Sequence, residues 1–326
     1  MAWRLRLAPE HTTFDFFKHQ WLTFGGSMAL MVASFVLWGF MGLNFGIDFK
    51  GGTTIRTDSA TVIDTGLYRA TLEKLGLGDV AINEVFDPSF RVDQHVAAIR
   101  LSAGKGQDQI SSEGLKAVET ALTAMDPKLK IVSTETVGPK VSSELVWSSI
   151  KALVATSLGI LAYIWLRFEW QFALGGVLAL LHDVFITVGI FALFQIKFDL
   201  SIVAALLTIL GYSINDTVVV FDRLRENLIK YKTMPLKEVM NLSVNETLTR
   251  TLATSLTTLI AVGSMLALGG DVIRGFSFAI FMGIILGTYS SVFVAKNLVL
   301  FLGLDRSDRP KKTGKGADHE FANIEA

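Results

Sequence analysis

Hydrophobic residues along this chain are gathered into six long blocks that polar or charged stretches separate. Each block approaches the length of about 20 residues that an α-helix needs to cross a bilayer. The blocks cover residues 21–43, 149–166, 172–194, 200–221, 250–268 and 273–295. The pattern therefore predicts a polytopic α-helical membrane protein with six transmembrane helices, which we number as spans one to six.

The long stretch 44–148 predicts a folded domain between the first two spans. Strand-like and helix-like patterns follow one another in the order β-α-β-β-α-β, which is the order of the ferredoxin-like α+β fold. The predicted elements are a strand at 45–57, a helix at 63–75, strands at 80–86 and 95–101, a helix at 109–125 and a strand at 130–137. Gly51 and Gly52 lie within the first strand, where a glycine pair permits either a hinge near the membrane or a strand bulge.

Lysine and arginine residues are distributed unevenly between the two sides of the predicted spans. Fifteen lie in segments 1–20 and 296–326 and in the loops after the second and fourth spans, whereas the opposite short loops hold Lys197 and Arg274. Cytoplasmic loops carry an excess of these residues. We therefore expect segments 1–20, 222–249 and 296–326 to be cytoplasmic and the 44–148 domain to lie outside.

Composition narrows the classes of function. Hydrophobic residues make up 51% of the chain, the formal net charge is zero and there is no cysteine. The charge gives no indication of nucleic-acid binding, and the absence of cysteine excludes disulfides and thiolate chemistry. The five histidines lack metal-ligand spacing, so no metal site is predicted. No nucleotide-binding loop, nucleophile elbow or kinase signature occurs, so we expect no enzymatic activity, no catalytic residue and no cofactor.

Asp216 is the first candidate functional residue because it lies inside the fourth span. It is about 9 Å inside the end that Asp222 marks, at about 1.5 Å per helical residue. A carboxylate there costs about 2.5–3.5 kcal/mol on insertion scales, so we expect it to have a partner and a function. Arg250 enters the fifth span at an overlapping depth, which predicts a buried Asp216–Arg250 ion pair. The alternative is that Arg250 extends toward lipid phosphate at the cytoplasmic boundary.

Further polar residues surround this predicted pair. Tyr212 and Asn215 share one side of the fourth span with Asp216, and a row of threonines that includes Thr254 follows the fifth span at helical spacing. Two facing polar rows would line a hydrated path. Threonines in membrane helices more often serve packing or bond to the backbone, so the row alone is weak support for a path.

Two other features lie in the third and sixth spans. His182 and Asp183 are close to mid-membrane and predict a secondary polar core, which either exchanges protons or fixes the third span to a neighbouring helix. We expect Asp183 and Asp216 to lie at different depths, which disfavours an intramembrane aspartyl hydrolase. Gly283 and Gly287 form a G-x-x-x-G pattern that lets helix backbones approach closely, and it predicts helix packing without chemistry.

Six stretches in combination resemble the SecF family of subunits of the bacterial protein-export machinery. The matching stretches are 45–53, 182–183, 211–216, 221–227, 247–258 and 283–291. The resemblance as a whole covers all six spans and the outer domain. The resemblance implies a fold of the resistance-nodulation-division type, in which twelve helices form two similar halves and this chain supplies one half. It also implies that an Asp and an Arg in proton coupling fall on Asp216 and Arg250.

The resemblance further implies where the protein works and with what. It implies a multi-pass protein of the bacterial inner membrane, with the 44–148 domain in the periplasm. Its implied partners are SecD, the SecYEG channel, the further proteins YajC and YidC, an exported preprotein chain, protons and membrane lipid. Its implied role is that of an accessory subunit which, with SecD, uses the proton-motive force to promote later stages of export across, and insertion into, that membrane. The alternatives are a non-transporting scaffold subunit of the translocon and half of a small-solute exporter of the same superfamily.

Overall fold

The structure, a computed structural model, describes residues 12–304 apart from residues 60, 79, 86, 88–89, 92–93 and 102–109. Segments 1–11 and 305–326 lie outside the described residues, and with them most of the two predicted cytoplasmic termini. Residues 86 and 109, at the predicted ends of a strand and a helix, also lie outside them.

Within the described residues, six helices are long and apolar enough to cross a membrane, which confirms the predicted architecture. In chain order the elements are α1 (Gln20–Met41), α2 (Ile47–Lys50), β1 (Gly52–Ser59), α3 (Thr65–Glu73), β2 (Val80–Val85), β3 (His95–Leu101), α4 (Ser112–Met125), β4 (Lys130–Val137), α5 (Pro139–Arg167), α6 (Trp170–Phe194), α7 (Leu200–Lys230), α8 (Leu236–Leu268), α9 (Asp271–Ser290), a π-helical segment (Ser291–Ala295) and α10 (Lys296–Leu302). The sixth span comprises α9, the π-helical segment and α10.

The domain between α1 and α5 has the predicted α+β fold. Its four strands form one antiparallel sheet in the order β2-β3-β1-β4, which is the ferredoxin-like arrangement. The two long helices of the domain, α3 and α4, are each capped by the residue that precedes them. The side chains of Asp64, before α3, and Ser111, before α4, accept hydrogen bonds from N–H groups of the first turn. The apolar faces of α3 and α4 pack on one face of the sheet and form a core separate from that of the membrane helices.

The start of this domain differs from the prediction. The first strand begins only at Gly52, because residues 47–50 form the short helix α2. Gly51 and Gly52 both have positive φ angles, of 73° and 119°, and join α2 to β1. Glycine adopts such angles without steric cost, so the pair allows a sharp turn between helix and strand. The irregularity in strand register lies instead between Arg56 and Thr57, so the glycine pair does not form a strand bulge.

Several helices extend well beyond the apolar blocks that predicted them. Helix α5 begins at Pro139, ten residues before the predicted second span, with proline at its first position. Most of the predicted cytoplasmic loop 222–249 is helical, because α7 continues to Lys230 and α8 begins at Leu236. Lys296, assigned to the tail by sequence, is buried within the sixth span. Hydropathy detects only the apolar part of a helix. It therefore did not predict the extensions of α5, α7 and α8 into polar sequence.

The six long helices differ in how much of their surface the chain itself covers. The most apolar windows of α6, α7 and the sixth span are 56%, 50% and 50% buried, whereas those of α1, α5 and α8 are 11% or less buried. Helices α6, α7 and α9 therefore form the centre of the bundle, and polar groups on their facing sides are removed from lipid.

Candidate functional site

The site is built around close contact between α7 and α9. A Cβ atom added to Gly283 would lie 2.3 Å from a side-chain carbon of Ile209, and one added to Gly287 would lie 2.9 Å from Ser213. Both distances are shorter than real Cβ contacts, so a larger residue at either position would force the neighbouring helix or side chain to move. The close approach brings the hydroxyl groups of α9 against the polar face of α7.

Asp183 on α6 is completely buried at the centre of this contact. Ser213 of α7 donates a hydrogen bond to its Oδ2 atom at 2.8 Å, and Ser290 of α9 donates to the same oxygen at 2.7 Å. His182 Nδ1 lies 3.0 Å from Oδ1, and its Nε2 lies 2.5 Å from the hydroxyl of Ser27 on α1. The His182–Asp183 pair therefore joins α6 to α1, α7 and α9.

Asp216 forms a second buried cluster, between α7 and α8. Its side chain accepts hydrogen bonds from Thr254 at 3.5 Å and from Ser255 at 3.3 Å, and the residue is only 2% exposed. The hydroxyl groups of Ser255 and Thr288 lie 2.7 Å apart, which connects this cluster to α9. Hydroxyl groups both donate and accept, so they can hydrogen bond a carboxylate in either protonation state.

The two carboxylates are closer in depth than the sequence suggested. Ser213, which donates to Asp183, precedes Asp216 by three residues on α7, or about 4.5 Å along the helix axis. On α9, Thr288 and Ser290 contact the Asp216 cluster and Asp183, respectively. Two carboxylates in adjacent hydroxyl-lined clusters can hold protons. No group of three or more metal-binding side chains occurs among the residues that the structure describes.

Arg250 does not form the predicted ion pair with Asp216. Within the described part of the chain, no basic nitrogen lies within 4.0 Å of the Asp216 carboxylate, and Arg250 is exposed on α8. The donors to Asp216 lie one helical turn further along α8. In this conformation, therefore, hydroxyl groups and not a guanidinium donate hydrogen bonds to the carboxylate.

Some threonine hydroxyls of the polar row on α8 form hydrogen bonds with backbone carbonyls of the same helix. The hydroxyl of Thr254 lies 2.9 Å from the carbonyl oxygen of Thr251, and Thr258 donates to the carbonyl of Thr254 at 2.9 Å. Tyr212 of α7 donates to Thr258 at 3.1 Å, so this tyrosine fixes α7 to α8. These contacts match the packing interpretation of the threonines, and only Thr254 reaches Asp216.

Asn215 lies on a different face of α7 from Asp216. It belongs to an exposed row of small or polar residues that recurs at helical spacing: Ala204, Thr208, Gly211 and Asn215. A Cβ atom added to Gly211 would meet nothing within 4 Å. The predicted polar side of the fourth span is thus divided between a buried face toward α8 and an open face.

Sequence reasoning missed a polar network at the predicted cytoplasmic ends of α7 and α8. Arg223 forms a 2.6 Å ion pair with Glu246, and Asn227 donates to the same Glu246 oxygen at 2.6 Å. Nearby, the buried Lys296 donates to the carbonyl of Phe16 at 2.9 Å. The one signal for this network was the helix-prone, charged composition of residues 222–249.

The comparisons with known proteins identify the family. The family model described as the C-terminal part of the protein export membrane proteins SecD and SecF matches residues 117–305, and the SecD/SecF GG motif matches residues 36–58. The chain belongs to the SecD/SecF family. This family assignment gives the chain an accessory role in Sec-associated protein export and makes it a multi-pass membrane protein.

Individual relatives of the SecD/SecF family match nearly the whole chain. The protein translocase subunit SecF of Rhodobacter capsulatus is 65% identical over 329 residues, which cover 99% of this chain and 98% of that protein. Its counterpart in Cereibacter sphaeroides is 63% identical over 326 residues, 100% of each chain. The crystal structure of SecDF, a translocon-associated membrane protein from Thermus thermophilus, matches with a TM-score of 0.81 and 35% identity, over 91% of this chain and 39% of that chain.

Proposed function

We propose that this chain is the half of a proton-coupled export complex in which Asp216 takes up and releases the proton. The observation that carries this proposal is a carboxylate that is 2% exposed and whose hydrogen-bond donors in the structure are the hydroxyls of Thr254 and Ser255. A buried carboxylate without a cation beside it favours the protonated form, because desolvation penalises the charge. Loss of that proton would draw a cation such as Arg250 closer and shift α8 against α7.

The proton-motive force supplies enough free energy for such a shift. A charge that crosses a potential of 100 mV releases about 2.3 kcal/mol. Each unit of pH difference adds about 1.4 kcal/mol. Together these terms are enough to change a two-state equilibrium by about two orders of magnitude.

The arrangement of the loops supports the orientation that the sequence predicts. The α6–α7 loop and the α8–α9 loop both contact the 44–148 domain, through Phe198 and Asp271 respectively. The segment before α1 contacts Asn241 and Asn245, near the opposite end of α8. The described loops thus separate into two sides, and the positive-inside rule puts the domain in the periplasm and the termini in the cytoplasm.

The exposed face of α7 supports the proposal that a second six-helix protein packs against this chain. Thr208, Gly211 and Asn215 lie within a membrane span, where polar side chains seldom face lipid. Small residues allow another helix to approach closely. We assign this face to a SecD-like partner, and through it the complex would act beside the SecYEG channel, with YajC and YidC as further neighbours. Its cargo would be an exported preprotein chain.

The test compares Asp216→Asn with the unchanged protein in inverted membrane vesicles that contain the SecD-like partner and a constant supply of ATP. Asparagine keeps the shape and the hydrogen-bond acceptor but cannot exchange a proton. We expect the complex to assemble and the stimulation of export by the proton-motive force to be lost, with ATP-driven export unchanged. Asp222→Asn, at a half-exposed carboxylate on the same helix, is the matched control and should retain stimulation.

A scaffold subunit is the second candidate, and the buried contacts of the His182–Asp183 pair with three other helices favour it. In that case Asp216→Asn would retain full stimulation as long as the complex assembles. The same experiment therefore separates a coupling subunit from a structural one.

A further inference from the structure

The periplasmic domain forms hydrogen bonds with the start of α7, although α5 and α6 separate the two in the sequence. Residues 44–50, which we call the coupling segment, run from the end of α1 to the glycine pair. The N–H of Gly46 donates to the carbonyl of Phe198 at 2.8 Å, and the N–H of Phe198 donates to the carbonyl of Asn44 at 2.8 Å. Phe198 lies directly before the α7 N-terminus, so two backbone hydrogen bonds join the coupling segment to that helix end.

Asp48 makes the contact with α7 itself. Its Oδ2 atom accepts a hydrogen bond from the N–H of Leu200, the first residue of α7, at 2.9 Å. The first N–H groups of a helix have no acceptor within the helix, and a negative charge is stabilised beside them. Asp199 accepts the next N–H, that of Ser201, at 3.1 Å. The coupling segment thus supplies one of the two side-chain acceptors for the first N–H groups of α7.

The surrounding packing makes the junction compact. The ring of Phe198 packs against three other aromatic rings. Its centroid lies 5.9 Å from that of Phe45 and 6.0 Å from that of Phe49, both in the coupling segment, and 6.0 Å from that of Phe191 on α6. A Cβ atom added to Gly46 would lie 3.1 Å from Cβ of Asp199. Close packing transmits displacement because the contact surfaces cannot slide without opening a void.

The other side of the coupling segment is attached to the domain. Arg100 of β3 donates to the carbonyl of Phe45 at 3.0 Å, and Ser142 of α5 donates to the carbonyl of Ile47 at 3.2 Å. The segment then passes through Gly51 and Gly52 into β1, one of the two inner strands, which pairs with both β3 and β4. A displacement of the α7 N-terminus is therefore applied to the middle of the sheet.

We infer that Asp48 is a positioning residue that links movement of α7 to the periplasmic domain. Asp216 and the Asp48 contact lie on the same continuous helix, 16 residues or about 24 Å apart along its axis. A tilt or shift of α7 that follows protonation at Asp216 pulls on the coupling segment through this contact. The inference rests on the proposed function, since it names the path by which the proton site moves the domain.

The test uses Asp48→Ala and Asp48→Asn in the full complex, with export measured in vesicles with and without a proton-motive force. Alanine removes the acceptor for the Leu200 N–H, whereas the carbonyl oxygen of asparagine retains it. We expect Asp48→Ala to lose most of the stimulation by the proton-motive force and Asp48→Asn to keep it, with ATP-driven export equal in both. Asp64→Ala is the matched control, because Asp64 accepts the same type of hydrogen bond at the start of α3.

A disulfide tests whether the junction moves as one body. The chain has no cysteine, so Gly46→Cys with Asp199→Cys introduces the only pair. The distance between their Cβ positions is slightly below the 3.5–4.5 Å range, about 3.8 Å on average, of natural disulfides. Asp199→Cys also removes the side-chain acceptor for the Ser201 N–H, so the bridged protein is compared with the same double variant after reduction. We expect stimulation with the bridge formed to be at least that of the reduced form, and the bridge to restore stimulation when it is added to Asp48→Ala.

The outcomes separate this inference from the proposed function. Full stimulation in Asp48→Ala, or loss of stimulation when the bridge forms, overturns the role of Asp48. If Asp216→Asn in the same membranes has lost stimulation while Asp48→Ala has not, the proton site stands and only the path is wrong. If Asp216→Asn retains stimulation, the proposed function itself fails.

Discussion

At the scale of single residues, Asp183 carries the largest share of the buried hydrogen bonds that join the central helices. It accepts from Ser213 on α7 and Ser290 on α9, and its neighbour His182 reaches Ser27 on α1. All of these residues are buried. Removal of the carboxylate would leave buried hydroxyls and an imidazole without their acceptor, and each such group costs about 1–3 kcal/mol.

We therefore predict that Asp183→Ala lowers the thermal stability of the detergent-solubilised protein more than Ser290→Ala does. Ser290→Ala removes one donor but leaves Asp183 with Ser213 and His182. The measurement is the fraction of protein that remains folded after heating, followed by size-exclusion chromatography. Ser264→Ala is the control, because this exposed hydroxyl bonds only the carbonyl of Ile260 in the described contacts. Equal stability of Asp183→Ala and Ser264→Ala would contradict the structural role of the network.

At the scale of elements, hydropathy predicted where six helices cross the membrane but not where they end or how they are rotated. Helices α7 and α8 extend past their apolar blocks because backbone hydrogen bonding continues there, stabilised by the Arg223–Glu246 pair. The predicted Asp216–Arg250 pair was wrong for this conformation, since depth alone does not determine which turn of α8 faces α7. Likewise, no G-x-x-x-G pattern marks Gly189, where an added Cβ would lie 2.2 Å from the hydroxyl of Ser34.

The contact between α7 and α9 gives a prediction at this scale. In Gly283→Ala the new methyl group would overlap Ile209, so the helices must separate or Ile209 must change its rotamer. Overpacking of this kind costs about 1–3 kcal/mol. We expect reduced thermal stability. Ile209→Ala removes all three side-chain carbons that the new methyl group would overlap, so combining it with Gly283→Ala should cost less than the sum of the two single changes, as measured by a double-mutant cycle.

The control for this cycle is Gly26→Ala on α1, where an added Cβ meets nothing within 4 Å. It should leave stability unchanged or slightly raise it, because alanine favours helices over glycine by about 1 kcal/mol. If Gly283→Ala behaves like Gly26→Ala, the close approach of α7 and α9 is not a determinant of stability.

At the scale of the whole molecule, the order of elements was predictable and the connections between distant segments were not. The spacing of hydrophobic residues and the positions of turn residues were enough to predict the β-α-β-β-α-β order, because the local sequence determines each of these elements. The hydrogen bond from Leu200 to Asp48 joins residues 152 positions apart, and nothing in either stretch specifies the other. The open face of α7 could not be predicted either, since exposure depends on how all six helices pack.

That open face gives the last prediction. Gly211 lies within this exposed row, and a Cβ atom added there would meet nothing within 4 Å. Gly211→Leu should therefore leave the isolated protein as stable as before, because leucine also favours helix over glycine by about 1 kcal/mol. If a SecD-like helix packs on this face, the leucine would hold the two helices apart and the partner would no longer co-purify. Gly159→Leu on α5, at an exposed glycine with equally open surroundings, is the matched control and should retain the partner. Co-purification of the partner with Gly211→Leu at the control level would show that the partner binds elsewhere, and the exposed row on α7 would then face lipid.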